Sequence, residues 1–266
     1  MILLNFFAAF ILAFIIAIIS SKLKFLTLEG ILAQFVLAVL IFGFGGLKWA
    51  VPIIVFFFLS SILSTIRGKK NKNVELYFEK PNQRDQYQVF ANGGISGLLV
   101  ILSQFIKPEL LYYIYVSSIA AVCADTWATE IGTMWKTRTI NILSFKEEEQ
   151  GTSGAISLNG MLGSLLGAVM ISLSSLYWIR PDKLYYLYFT AAAGLFGSIV
   201  DSIIGASVQA QYYCEVCGKI TEKKFHCFRN ANKIKGISWL NNDVVNFITS
   251  LSGGFFFILF RIFLKV

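Results

Sequence analysis

The sequence predicts an all-α, polytopic transmembrane helix bundle forming a single integral membrane domain over 1–266. Three observations carry this expectation. Hydrophobic residues make up 56% of the chain and aromatic residues 15%. Charged residues make up only 14%, against about 25% in soluble domains. Apolar runs of membrane-spanning length recur along the whole chain.

Eight helices are expected, at about 2–19, 27–44, 47–66, 91–106, 110–132, 157–178, 184–208 and 244–264. No Lys or Arg precedes the first run, and Ser20-Ser21-Lys22 is not a small-x-small cleavage site, so it reads as a retained span. The fourth segment is the shortest. The fifth ends in Ala121-Val-Cys-Ala-Asp-Thr-Trp-Ala-Thr-Glu-Ile-Gly132. The seventh contains Gly197-Ser-Ile-Val-Asp-Ser-Ile-Ile-Gly205, whose glycines permit close helix approach. Asn92, Asn159 and Asn246 open the fourth, sixth and eighth. Asn92-Gly-Gly-Ile-Ser-Gly-Leu-Leu99 resembles Asn159-Gly-Met-Leu-Gly-Ser-Leu-Leu166, as an internal repeat or as chance likeness between Gly/Leu-rich helices.

The formal net charge is +8. No basic helix or aromatic-studded groove accompanies it, which argues against nucleic acid. Topology explains the charge better. The odd-numbered connections hold 17 of the 23 Lys and Arg residues. By the positive-inside bias they are expected in the cytoplasm, with both termini outside. The long loops 67–90, 133–156 and 209–243 then share the cytoplasmic face. Asp125 and Asp201 fall roughly 10 Å below it, at 1.5 Å per residue.

Carboxylates inside a span are costly and usually face a cavity or partner. Asp125 and Asp201 offer hard oxygens from two helices, the kind of set Mg²⁺ takes when water and substrate phosphates complete its shell. Glu130 is a further candidate ligand, although it lies about 140° around the helix from Asp125. An ion pair that serves only assembly is the alternative for each acid. In the third connection, Lys80 and Arg84 are candidate phosphate contacts. Asn92-Gly93-Gly94 is expected at a helix start, where free N–H groups favour anions. Gly151-Thr152-Ser153-Gly154 offers a hydroxyl-bearing turn, for phosphate or for capping, but it is not a P-loop. Asn242 and Asn246 share one face of the last helix, with capping the plainer role for the residues at its start. Cys214-Glu-Val-Cys217 and His226-Cys227 present four zinc ligands in the 209–243 loop, read as a structural zinc knuckle against ordinary loop cysteines. His226, the only histidine, argues against a Ser-His-Asp hydrolase.

Ala124-Asp-Thr-Trp-Ala-Thr-Glu-Ile-Gly132 occurs together with Arg84-Asp85, Phe90-Ala-Asn-Gly-Gly94, Gly151-Thr-Ser-Gly154, Asp201-Ser202 and Asn241-Asn-Asp-Val-Val-Asn246. In these motifs the chain resembles the integral membrane family that contains transmembrane protein 19 and the plant chloroplast phytyl-phosphate kinase (domain of unknown function 92). Its cysteine loop resembles prokaryotic members, so a prokaryotic cell membrane is expected. The resemblance implies phosphorylation of an isoprenoid monophosphate to its diphosphate by a nucleoside triphosphate, with CTP a candidate donor and Mg²⁺ the cofactor. It places Asp125 and Asp201 on the metal, and Lys80, Arg84 and Asn92 on the phosphates. Partners would be a prenyl phosphate, the nucleotide and membrane lipids. A transporter or lipid flippase that turns over no nucleotide is the rival class.

Overall fold

Hydrocarbon offers the backbone no water to bond, so long apolar runs close their own hydrogen bonds as helices. The computed structural model describes residues 2–71, 83–106 and 108–264. Among these residues it contains seven α-helices: α1 (Ile2–Lys22), α2 (Leu28–Lys70), α3 (Gln86–Leu102), α4 (Pro108–Gly132), α5 (Leu158–Ser174), α6 (Tyr185–Ser207) and α7 (Asn242–Leu264). Five of them, α1, α2, α4, α6 and α7, are long and apolar enough to cross a membrane.

The count differs from the eight expected because segments 27–44 and 47–66 form one helical element of 43 residues. Gly46 breaks it, with φ 63° and ψ −162°, a conformation that residues bearing a Cβ rarely adopt. The two arms fold back on each other. The rings of Phe25 and Phe57 lie 6.1 Å apart, whereas a straight helix would separate these positions by roughly 48 Å at 1.5 Å per residue.

This folding sorts the connections into two ends. At one end, Leu26 bridges Arg84, the Asn71 amide donates to the Thr133 carbonyl, and Ser153 meets Glu222. At the other, Lys48 lies over the Tyr112 ring and Lys183 pairs with Glu109. The described parts of the three long connections therefore share one end of the bundle.

At the centre stands α4, buried over most of its length. A helix enclosed by helices needs small residues at its crossings. Ser117, Ala120, Ala121 and Ala124 supply them on α4, and glycines supply them on its neighbours. A Cβ on Gly163 of α5 would lie 2.5 Å from the Trp127 carbonyl, and one on Gly194 of α6 would lie 2.8 Å from the Ala120 Cβ. In this way α5 and α6 are drawn against the segment that carries Asp125.

Two further corrections concern local structure. Asn92-Gly93-Gly94 does not open its helix. Asp85 caps α3 at Gln86, accepting from the Gln88 N–H while the Gln88 side chain accepts from the Asp85 N–H. The N–H groups of 92–94 are therefore spent inside the helix. Gly93 instead faces Leu37, whose Cδ1 would lie 3.0 Å from an added Cβ. The chain is also not purely helical. The 209–243 loop carries β3 (Gln211–Cys214), β4 (Lys219–Thr221), β5 (Phe225–His226), β6 (Arg229–Asn230) and β7 (Asn232–Lys235). These form a three-stranded antiparallel sheet, ordered β4-β3-β7, and a separate β5-β6 hairpin. Earlier, β1 (Ile140–Asn141) and β2 (Ala155–Ile156) pair antiparallel and bring the 142–154 segment back to the bundle.

A pair of substitutions tests this packing. Gly94 has nothing within 4 Å of an added Cβ. Gly94→Ala should thus raise stability by up to about 1 kcal/mol through helix propensity. Gly163→Ala should lower it by about 1–3 kcal/mol, because the neighbouring backbone must move. Thermal unfolding in detergent reads both signs.

Candidate functional site

A cavity of about 690 Å³ lies where α2, α3, α4, α5, α6 and α7 meet the loop end of the bundle. Asp125 on α4 and Asp201 on α6 line it, with their carboxyl groups within hydrogen-bonding reach of each other. Two carboxylates so placed need a shared proton or a cation between them. From α7, the Thr249 hydroxyl donates to Asp201 Oδ2 at 2.7 Å. Asn242 and Asn246, on the same helix, also line the cavity. The spacing 242, 246, 249 and 253 forms one stripe down α7. Its last member, Gly253, lets the helix close on Ser117.

Arg84, Gln88 and Asn92 also line the cavity. The backbone of Arg84 is fastened to the turn before α2: its N–H donates to the Phe25 carbonyl, and its own carbonyl accepts from the Thr27 N–H. Its guanidinium lies 5.6 Å from the Phe56 ring centre. Burial lowers Arg84 from its ordinary value, Glu130 opposes the drop, and the group remains a cation. Thr152 and Ser153 form the roof. Gly154 holds that roof down: with φ 83° it lies so close to the Ala206 backbone that no Cβ would fit.

Not every expected residue joins this arrangement. Glu130 lines the cavity but is committed elsewhere: Arg67 Nε lies 2.8 Å from its Oε2, and the Ser64 hydroxyl donates to Oε1 at 2.5 Å. It therefore does not complete the Asp125–Asp201 pair. Gly93 and Gly94 fall outside the cavity lining. Lys80 lies outside the described residues.

The structure also brings in groups the sequence reading missed: Arg67, Thr249 and Glu222. Glu222 comes from the β-module, where its Oε1 accepts from the Ser153 hydroxyl at 2.6 Å and from the Gln209 amide at 2.9 Å.

That module gathers the four expected zinc ligands. The ligand atoms of Cys214, Cys217, His226 and Cys227 all lie within 4.8 Å of one another. Hydrogen bonds, first from His226 and then from the backbone of Cys217 and Val216, hold the Cys214 thiol down at about 6. Cys227 is pushed up to about 11 by desolvation and by the sulfurs of Cys217 and Cys214. Neighbouring thiolates repel, and a soft cation relieves that repulsion.

A family model described as "Integral membrane protein DUF92" matches residues 11–254. The chain belongs to the DUF92 family. Protein PGR of Arabidopsis thaliana is 28% identical over 271 residues, covering 93% of each chain. An uncharacterised membrane protein of Methanocaldococcus jannaschii is 29% identical, over 95% of this chain and 92% of its own. Protein VTE6, chloroplastic, also of Arabidopsis thaliana, is 24% identical over 90% of this chain and 66% of its own. No solved structure matches. Because these DUF92 relatives are plant as well as archaeal proteins, membership does not support the expected prokaryotic origin. An integral membrane protein is what it establishes.

Proposed function

We propose that this protein is a membrane-embedded phosphotransferase that converts a prenyl monophosphate to its diphosphate with a nucleoside triphosphate, CTP among the candidates. The facing carboxylates of Asp125 and Asp201, at the loop end of a cavity with an apolar side wall, carry the proposal. That wall is built from Leu158, Met161, Leu162 and Leu165 on α5 and Leu195 and Ile199 on α6. All but Leu195 are exposed on the helix surface, which in a bilayer faces lipid. A prenyl tail can enter between the two helices while its phosphate stays among polar groups. The resemblance read from the motifs, to the family that contains the phytyl-phosphate kinase, lends a lipid-phosphate kinase further weight.

A phosphate oxygen of the monophosphate attacks the γ-phosphorus of the nucleotide. The new P–O bond forms as the bond to the β-bridging oxygen breaks, and the nucleoside diphosphate departs. No general base is required, because the attacking oxygen is already ionised. Positioning and charge stabilisation therefore supply the catalysis. Asp125 and Asp201 would hold Mg²⁺, which shields the phosphate charge. Arg84 orients the transferring group, and Thr152 and Ser153 bond its oxygens. Asn92, Asn242 and Asn246 donate amide N–H groups from α3 and α7. The excess of basic residues near the loop end favours the cytoplasmic face for this chemistry.

The test is direct. Purified protein with Mg²⁺, CTP or ATP and a series of prenyl monophosphates should yield the diphosphate and release nucleoside diphosphate in equal amounts. Lipid or ion flux across proteoliposomes without nucleotide consumption would establish the transporter reading instead.

A further inference from the structure

We propose that a zinc ion held by Cys214, Cys217, His226 and Cys227 fixes, through Glu222, the position of the 151–154 loop beside the Asp125–Asp201 pair. The proposal relies on the phosphotransferase reading only for one of its measurements.

The ligand spacing suits a single ion. His226 Nδ1 lies 3.5 Å from Cys217 Sγ and 3.4 Å from Cys227 Sγ. Tetrahedral zinc, with Zn–N about 2.0–2.1 Å and Zn–S about 2.3 Å, sets such pairs at roughly 3.5 Å. A second observation concerns the backbone. Cys227 and Phe228, the turn of the β5-β6 hairpin, both have positive φ, 48° and 60°. A two-residue hairpin turn takes positive φ at both central residues, and this turn sets the Cys227 sulfur beside the His226 ring.

Between the ligand pairs runs the 218–225 segment, with Glu222 near its middle. Its strands are short, three residues in β4 and two in β5. Strands of that length do not define a geometry alone. A metal joining Cys214 and Cys217 to His226 and Cys227 closes the segment and sets where Glu222 stands. Glu222 then accepts from the Ser153 hydroxyl and from Gln209, which is buried. Ser153 belongs to the roof of the cavity. Glu222 is thus a positioning residue, and the module links metal binding at the surface to the shape of the site.

The experiment uses the full-length protein purified in detergent without chelator. Metal analysis should find about one zinc per chain, matching a closed four-ligand set, and Cys217→Ser should lose it. Chelation of the wild type should raise hydrogen exchange across 150–156, and added zinc should restore protection. Glu222→Ala should keep its zinc, show the same rise, and gain no further rise on chelation, the mark of two groups acting through one link. The Mg²⁺–nucleotide concentration that gives half-maximal thermal stabilisation should increase several-fold in Glu222→Ala and in zinc-free protein alike. Exchange needs no substrate, so failure of the phosphotransferase reading leaves that arm intact. Protein without zinc, or zinc removal that leaves 150–156 unchanged, would overturn the proposal. So would a Glu222→Ala protein with wild-type exchange.

Discussion

Asp125→Asn should leave the bundle folded and reduce Mg²⁺-dependent phosphate transfer by roughly 10³-fold. The size follows from the several kcal/mol a bound cation contributes to charge stabilisation, at about 1.4 kcal/mol per tenfold in rate. The sign of the stability change makes the test specific. In the absence of metal, Asp125 and Asp201 lie within hydrogen-bonding reach of each other. An amide at 125 keeps the shape and can donate to Asp201 where the shared proton would otherwise lie. The apo variant should therefore melt at the wild-type temperature or above it. Adding Mg²⁺ and nucleotide should stabilise the wild type and do little for the variant. Stability retained or gained while activity falls identifies a group held in place for function. Thr249→Val is the graded companion. It removes one donor to Asp201 and, at about 1.5–3 kcal/mol for a hydrogen bond to a charged group, should cost roughly 10–100-fold. Wild-type turnover by folded Asp125→Asn would remove Asp125 from the metal set.

What the sequence disclosed followed from the length and polarity of its segments. Apolar runs mark the helices because the bilayer leaves no other way to satisfy the backbone. Asp125 and Asp201 stand out because a carboxylate in such a run demands a reason. Long-range pairing was beyond reach. Glu130 looks like a companion of Asp125 in sequence, yet its partner Arg67 lies 63 positions earlier, and no periodicity within either helix announces that meeting. Other features were written locally and overlooked. Asp85-x-x-Gln88 is a capping box, masked by the polarity of the segment it starts. The 242, 246, 249 stripe on α7 was legible at helical spacing, and it would have placed Thr249 beside the asparagines. Glu222 was hidden by its neighbours, since a loop with four metal-ligating side chains draws attention to those alone. The two-residue strands β5 and β6 are too short for alternation to reveal.

The position of Glu130 separates two roles that sequence alone left together. Glu130 is 7% exposed, and the Arg67 it meets is 4% exposed. Removing one partner of a buried pair leaves a charge without compensation, at a cost of about 3–5 kcal/mol. Glu130→Ala should therefore cause a large fall in melting temperature. The paired change Arg67→Met with Glu130→Leu should recover much of it, because apolar groups of similar volume often replace a buried ion pair without loss. A metal ligand would behave otherwise. Its neutral isostere Glu130→Gln would keep the protein stable and raise the Mg²⁺ concentration needed for half-maximal activity. We expect Glu130→Gln to lose stability and leave the Mg²⁺ requirement unchanged, since the buried ion pair between Arg67 and residue 130 is lost while Asp125 and Asp201 are untouched. The reverse pattern, full stability with a raised Mg²⁺ requirement, would return Glu130 to the metal set. The assignment then turns on whether Mg²⁺ titration or thermal unfolding records the damage, and the 2.8 Å approach of Arg67 Nε to Glu130 Oε2 argues for unfolding.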